Sequence, residues 1–204
     1  MKIKEITAFP IRISRSSEEE GNDLPTVIDF GDYFIDEQAF TSIYSKHHET
    51  TVIKIETDTG IVGWGEAQSP VSPRTTQAIV EDLVRPLVMG RDPFDIEAIW
   101  TRNYGAMRER GHPTGFYLDA IGGTDIALWD IIGKVTGMPV HKLAGGRYRQ
   151  KVKLYAGLGG TDPEQVADMA EEHVGIGYKA LKLHLLLDAD GVAEIARAVR
   201  NRIG

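Results

Sequence analysis

Gly177-Tyr178-Lys179-Ala180-Leu181-Lys182-Leu183-His184-Leu185-Leu186-Leu187 reads as a buried β-strand. Leucines recur at 181, 183 and 185, and Lys182 and His184 stand between them. Successive strand side chains face opposite sides, so Lys182 and His184 share the face turned away from the leucines. Burying a Lys beside a His costs free energy unless something nearby makes use of them. Two readings follow. The strand is half-exposed with a polar outer face, or the two basic groups are aimed at chemistry.

The flanks show what kind of layer the strand belongs to. Upstream, residues 152–156 predict a short apolar strand. Thr161-Asp162-Pro163-Glu164 predicts a helix start with a capping box. Val166, Met169, Ala170 and Val174 continue at helical spacing until Gly175 and Gly177. Downstream, residues 190–203 predict an amphipathic helix with Val192, Ile195, Ala196, Val199 and Ile203 inward. Strand, helix, strand, helix implies parallel strands joined by right-handed crossovers.

The first 140 residues follow a different grammar. Residues 2–13 alternate with period 2 and predict a first strand. Residues 51–57 and 61–67 flank Asp58-Thr59-Gly60 and predict a hairpin, so three strands form an antiparallel meander. Between the first strand and the hairpin, residues 14–49 show no sustained period. They carry the acidic run Glu18, Glu19 and Glu20, then the aromatics Phe30, Tyr33, Phe34, Phe40 and Tyr44. A connection this long reads as a lid that docks on something, or as a mobile surface loop. Three helices follow. Ser72-Pro73 opens the first by a capping hydroxyl and a first-turn proline, and Pro86 and Gly90 end it. Asp92-Pro93 starts the second by the same device, with Ile96, Ile99, Trp100, Asn103, Tyr104 and Met107 inward. The third covers about 116–136, is apolar nearly all round, and is expected between layers.

Bulk properties narrow the function classes. A formal net charge of −7 and the lack of a long basic run argue against a nucleic-acid partner. No apolar run approaches a membrane span, and the opening residues alternate like a strand rather than a signal peptide. With no cysteine, thiolate metal sites and cysteine nucleophiles are excluded. A cytoplasmic protein is the expectation.

Three motifs come in order: Asp58-Thr59-Gly60-Ile61-Val62-Gly63-Trp64-Gly65-Glu66-Ala67, Gly123-Thr124-Asp125-Ile126-Ala127-Leu128-Trp129-Asp130-Ile131-Ile132-Gly133-Lys134, and Gly137-Met138-Pro139-Val140-His141-Lys142-Leu143-Ala144-Gly145-Gly146. With residues 177–187 they resemble the mandelate racemase/muconate lactonizing enzyme group of the enolase superfamily. The resemblance covers essentially the whole chain. It implies an α+β capping domain over residues 1–140 (a three-stranded antiparallel meander plus a helical bundle), followed at 141–204 by the first two βα units of an incomplete (β/α)8 barrel.

The resemblance also implies a reaction. These enzymes abstract the proton α to a carboxylate, with Mg²⁺ stabilising the enediolate and a Lys or His as base. Lys182-Leu183-His184 matches the family's Lys-x-Lys base motif on the second barrel strand, with His184 in place of the usual Lys. His184 would then be the acid/base and Lys182 its electrostatic partner. Glu66 is a candidate for binding a substrate hydroxyl or for tying down its loop. His47, His48, His112, His141, Arg147 and Arg149 are weaker candidates. The family's three acidic metal ligands come from later barrel strands that would lie beyond Gly204. Mg²⁺ is therefore expected for a longer parent and not through this chain's residues.

A full barrel takes about 250 residues, so the expectation is an N-terminal part of a longer enzyme, or a fragment completing its sheet with copies of itself. The function expected by resemblance is that of a sugar-acid dehydratase or a racemase/epimerase acting on a small carboxylate, as a homo-oligomer, with this chain, as an incomplete part of such an enzyme, expected to be inactive alone. The alternative is a non-catalytic capping-domain protein that binds a small acid or a partner subunit.

Overall fold

A computed structural model describes residues 1–14, 27–36 and 40–204. The chain divides into two compact units, Met1–Ser14 with His47–Tyr148, and Arg15–Lys46 with Arg149–Gly204.

In the first unit, β1 (Ile3–Ser14), β5 (His47–Thr57) and β6 (Val62–Ala67) form an antiparallel sheet in the order β1-β5-β6. This is the expected meander, and Gly60 closes its hairpin at φ 82°. Alternation buries Ile3, Ile6, Ala8, Ile53, Ile55 and Ala67 on one face. Against that face lie α1 (Pro73–Ile79), a π-helical turn (Val80–Val84), α2 (Arg85–Val88), α3 (Ile96–Arg108) and α4 (Phe116–Thr136).

The contact between β6 and α4 is made of backbone. Gly63 and Gly65 sit on the buried face, and α4 presents Gly123 and Ala127 to them. A Cβ at Gly65 would come within 2.0 Å of the Gly123 carbonyl oxygen, and one at Gly63 within 2.1 Å of that of Ala127. Only glycine permits this approach. On the same seam, α4 takes up the free edge of β6. The Trp64 N–H donates to Asp130 Oδ2 at 2.8 Å, and Lys134 Nζ donates to the Val62 carbonyl at 2.8 Å and to Asp130 Oδ2 at 2.6 Å. An edge strand that would otherwise present unpaired groups is thereby capped.

Several local expectations are corrected. Ser72 is not a side-chain cap; it adopts a left-handed conformation at φ 55°, and its hydroxyl meets that of Thr75 at 2.9 Å. Pro86 does not end the helix, because the π-helical turn re-phases the backbone and α2 runs on to Val88 with Pro86 in its first turn. Asp92 makes a turn, accepting the Phe94 N–H at 3.0 Å, so α3 begins only at Ile96 and Trp100 is 37% exposed. The bounds of α4 are as expected, yet Ile126 is 51% exposed, so in this unit the helix is covered on one face only.

The second unit contains two structures. Residues read as periodless form a small antiparallel sheet of β2 (Val27–Asp29), β3 (Tyr33–Asp36) and β4 (Phe40–Ser45). Strands of three to six residues are too short to establish a period, and cross-strand pairs such as Phe34 stacked on Tyr44 at 5.5 Å hold them. Of the same stretch, Ser14 ends β1 and His47, His48 and Glu49 open β5, whereas residues 15–26, with Glu18, Glu19, Glu20, Gly21 and Pro25, and residues 37–39 lie outside the described residues.

After the short helix α5 (Val140–Leu143) of the first unit, β7 (Ala156–Leu158), α6 (Pro163–Ile176), β8 (Leu181–Leu183) and α7 (Ala189–Ile203) follow in the second. β7 and β8 pair in parallel, with Ala156 opposite Leu181 and Leu158 opposite Leu183. The first of these strands was expected at 152–156. It forms four residues later, where Ala156 and Leu158 reach the core, whereas Val152 and Leu154 are about 70% exposed. Leu158, Val166, Ala167, Ala170, Leu185, Ile195 and Val199 make that core. Asp162, not Thr161, caps α6 by accepting the Gln165 N–H at 2.8 Å, and Asp188 caps α7 through Gly191 at 2.8 Å. Arg202 of α7 bonds Glu164, Asp168 and Glu171 of α6.

Candidate functional site

The two basic residues that drew attention lie together. Leu181 and Leu183 pack on the second core with Leu185 and Leu187, and Lys182 and His184 are exposed on the opposite side. His184 lies one residue past β8, and its backbone N–H reaches the Leu158 carbonyl at 3.4 Å, prolonging the ladder. Two residues apart on an extended backbone, the side chains start roughly 6.6 Å from one another, a spacing that one small carboxylate can bridge.

Among the described residues no carboxylate pairs with the Lys182 ammonium. That ammonium lies instead over the ring of Tyr155, 5.8 Å from the centroid. The residue opposite Lys182 on β7 is Gly157, around which a Cβ would meet nothing within 4 Å. A cation, an imidazole and bare backbone therefore face outward together. Chemically such a surface can take up an anion, and the imidazole can accept a proton from a bound molecule.

Glu66 belongs to the first unit. It projects from the exposed face of β6, opposite Val52, and its Oε1 accepts the Thr50 hydroxyl at 2.7 Å. That bond runs between the paired strands β5 and β6, and the second carboxylate oxygen has no protein donor among the described residues. His47 and His48 open β5 opposite Ser14 and Ile13. His112 is exposed in the turn after α3, and His141, on α5, keeps a buried Nε2 without a hydrogen-bond partner among the described residues. Arg147 and Arg149 are exposed.

Among the described residues no group of three or more His, Cys, Asp or Glu could hold a metal ion. None of the described helices is long and apolar enough to cross a membrane. The contact of Tyr155 with Lys182 depends on the register between two parallel strands, and its one mark in the sequence is an aromatic two residues before a glycine.

Comparison with known proteins bears on these observations. Residues 37–145 match the model of the mandelate racemase/muconate lactonizing enzyme N-terminal domain. A D-galactonate dehydratase of Pectobacterium atrosepticum is 44% identical over 132 residues, which are 65% of this chain and 34% of that enzyme. A solved structure from Sinorhizobium meliloti superposes with a TM-score of 0.90 at 36% identity, covering 100% of this chain and 53% of that one. A solved member of the enolase superfamily from Polaromonas sp. JS666 gives a TM-score of 0.79 at 32% identity, covering 100% of this chain and 50% of that one. The chain thus spans about half the length of these solved relatives.

Proposed function

Since the chain belongs to the mandelate racemase/muconate lactonizing enzyme group of the enolase superfamily, we propose that Lys182 and His184 are the carboxylate-binding and proton-abstracting groups of a sugar-acid dehydratase or a racemase/epimerase. The observation that carries this reading is their shared outward face beyond a wall of leucines, with no carboxylate neutralising Lys182 among the described residues. The D-galactonate dehydratase relative supports a polyhydroxy acid as the substrate class.

The α-proton of a carboxylate is removable only if the enediolate it leaves is stabilised. Lys182 faces the carboxylate and opposes the charge that grows on its oxygens. His184, as neutral imidazole, takes the α-proton, and the bond's electron pair moves into the carboxylate. In a dehydratase the pair returns to expel the β-hydroxyl, which leaves as water with the proton the imidazolium carries. The enol that remains becomes a 2-keto-3-deoxy acid. In a racemase a proton is instead returned to the opposite face of the same carbon. The relatives' names favour the first course.

A panel of aldonic acids incubated with the protein tests this. Formation of a 2-keto-3-deoxy product, read as its semicarbazone, identifies a dehydratase, and inversion at C2 without that product identifies an epimerase. Saturable binding with neither outcome overturns the catalytic reading in favour of a non-catalytic acid-binding protein.

A further inference from the structure

We infer that Tyr155 is the positioning residue for Lys182, holding its ammonium in place while leaving its charge and its hydrogen-bond donors free for an acid. This rests on the reading of Lys182 as a carboxylate-binding group.

The strand register places the contact. Gly157 lies opposite Lys182, and Ala156 and Leu158 point into the core, so the exposed Tyr155 comes from just ahead of β7 toward the face on which Lys182 emerges. The ammonium lies 5.8 Å from the ring centroid, within cation–π range. Gly157 offers no side chain to prop the lysine's long stem, and nothing stands within 4 Å of where its Cβ would be. Two kinds of neighbour can steady a lysine ammonium. A carboxylate does so by neutralising it and occupying its N–H donors. An aromatic face attracts the cation through its quadrupole, contributes no net charge, and leaves the three N–H donors pointing outward. A lysine meant for a structural ion pair would have the first; Lys182 has the second.

The test uses the whole chain with ¹³C-labelled lysine, the Lys182 signal being assigned by its loss in Lys182→Met, and sodium gluconate as the probe acid. The ring current should shift the Lys182 ε-protons upfield of the other lysines in the wild type and in Tyr155→Phe, which keeps the ring, but not in Tyr155→Leu. Gluconate should displace the Lys182 signal with unchanged affinity in Tyr155→Phe and roughly 2–5-fold weaker affinity in Tyr155→Leu, the range a partly exposed cation–π contact supports. Tyr155→Glu, which supplies the counter-charge, should weaken binding further than Tyr155→Leu. Equal gluconate affinity in the wild type and Tyr155→Leu overturns the positioning role while leaving Lys182 as an acid-binding group. A wild-type Lys182 signal that gluconate does not move removes that group, and the inference with it.

Discussion

Adding one methyl group to the seam between β6 and α4 should unfold the first unit far more readily than its size suggests. A Cβ at Gly65 would sit 2.0 Å from the Gly123 carbonyl oxygen and 2.7 Å from the Ala127 nitrogen. Both are backbone atoms of a long helix, so no side chain can swing aside and the strand must part from α4. Overpacking ordinarily costs about 1–3 kcal/mol; with rigid backbone on the other side, Gly65→Ala should cost about 3 kcal/mol or more. Parting the seam also lengthens the bond the Trp64 N–H donates to Asp130 and the one Lys134 donates to the Val62 carbonyl. Gly122 is the control. It neighbours Gly123 within α4, yet nothing lies within 4 Å of its Cβ position, so Gly122→Ala should stabilise by about 0.8–1 kcal/mol through helix propensity alone. All three tryptophans, Trp64, Trp100 and Trp129, belong to the first unit, so fluorescence during urea unfolding reports on it specifically. At roughly 4 °C per kcal/mol, Gly65→Ala should also lower the melting temperature by about 12 °C. A Gly65→Ala midpoint within experimental error of the wild type would refute the close-packing argument.

Two further outcomes are expected. Burial, with Glu97 nearby, holds the Asp125 carboxyl above its ordinary range, against a hydrogen bond from Trp129 that lowers it. Folding therefore disfavours the charged form, and stability from this group is gained as the pH falls through its raised folded value toward the ordinary aspartate value. Asp125→Asn should be more stable than the wild type at neutral pH, with the gap in urea midpoints closing as pH falls across that window; a gap that widens contradicts the assignment. At the start of α6, Asp162→Ala should cost about 1 kcal/mol while Thr161→Ala changes stability by no more than a few tenths, measured by amide exchange along α6, because only Asp162 accepts the Gln165 N–H.

How far the chain could be read depended on the length scale over which each feature is decided. α4 was legible end to end, because its apolar run is long and Gly115 and Gly137, both at positive φ, punctuate it. The β5–β6 hairpin was legible from alternation on either side of Gly60. The small sheet of β2, β3 and β4 was not, since its strands are stabilised by pairing between short segments rather than by a period within each. The π-helical turn at Val80–Val84 was hidden for a related reason: one inserted residue shifts the apolar stripe without erasing it. At the site, alternation alone put Lys182 and His184 on one face. Tyr155 was out of reach, because its place against Lys182 is set by how β7 and β8 align, and residues 152–156 alone suggested a strand four residues early.

Deuterium exchange at the α-carbon tests the role of His184 most directly. In D₂O, with a polyhydroxy acid as substrate, the proposed reaction predicts that the wild type replaces the α-proton with deuterium. His184→Asn should slow that exchange by roughly 10²–10⁴-fold, as loss of a positioned base does, while Lys182→Met weakens binding of the acid. Exchange in His184→Asn at the wild-type rate would contradict the assignment and place the base on another residue.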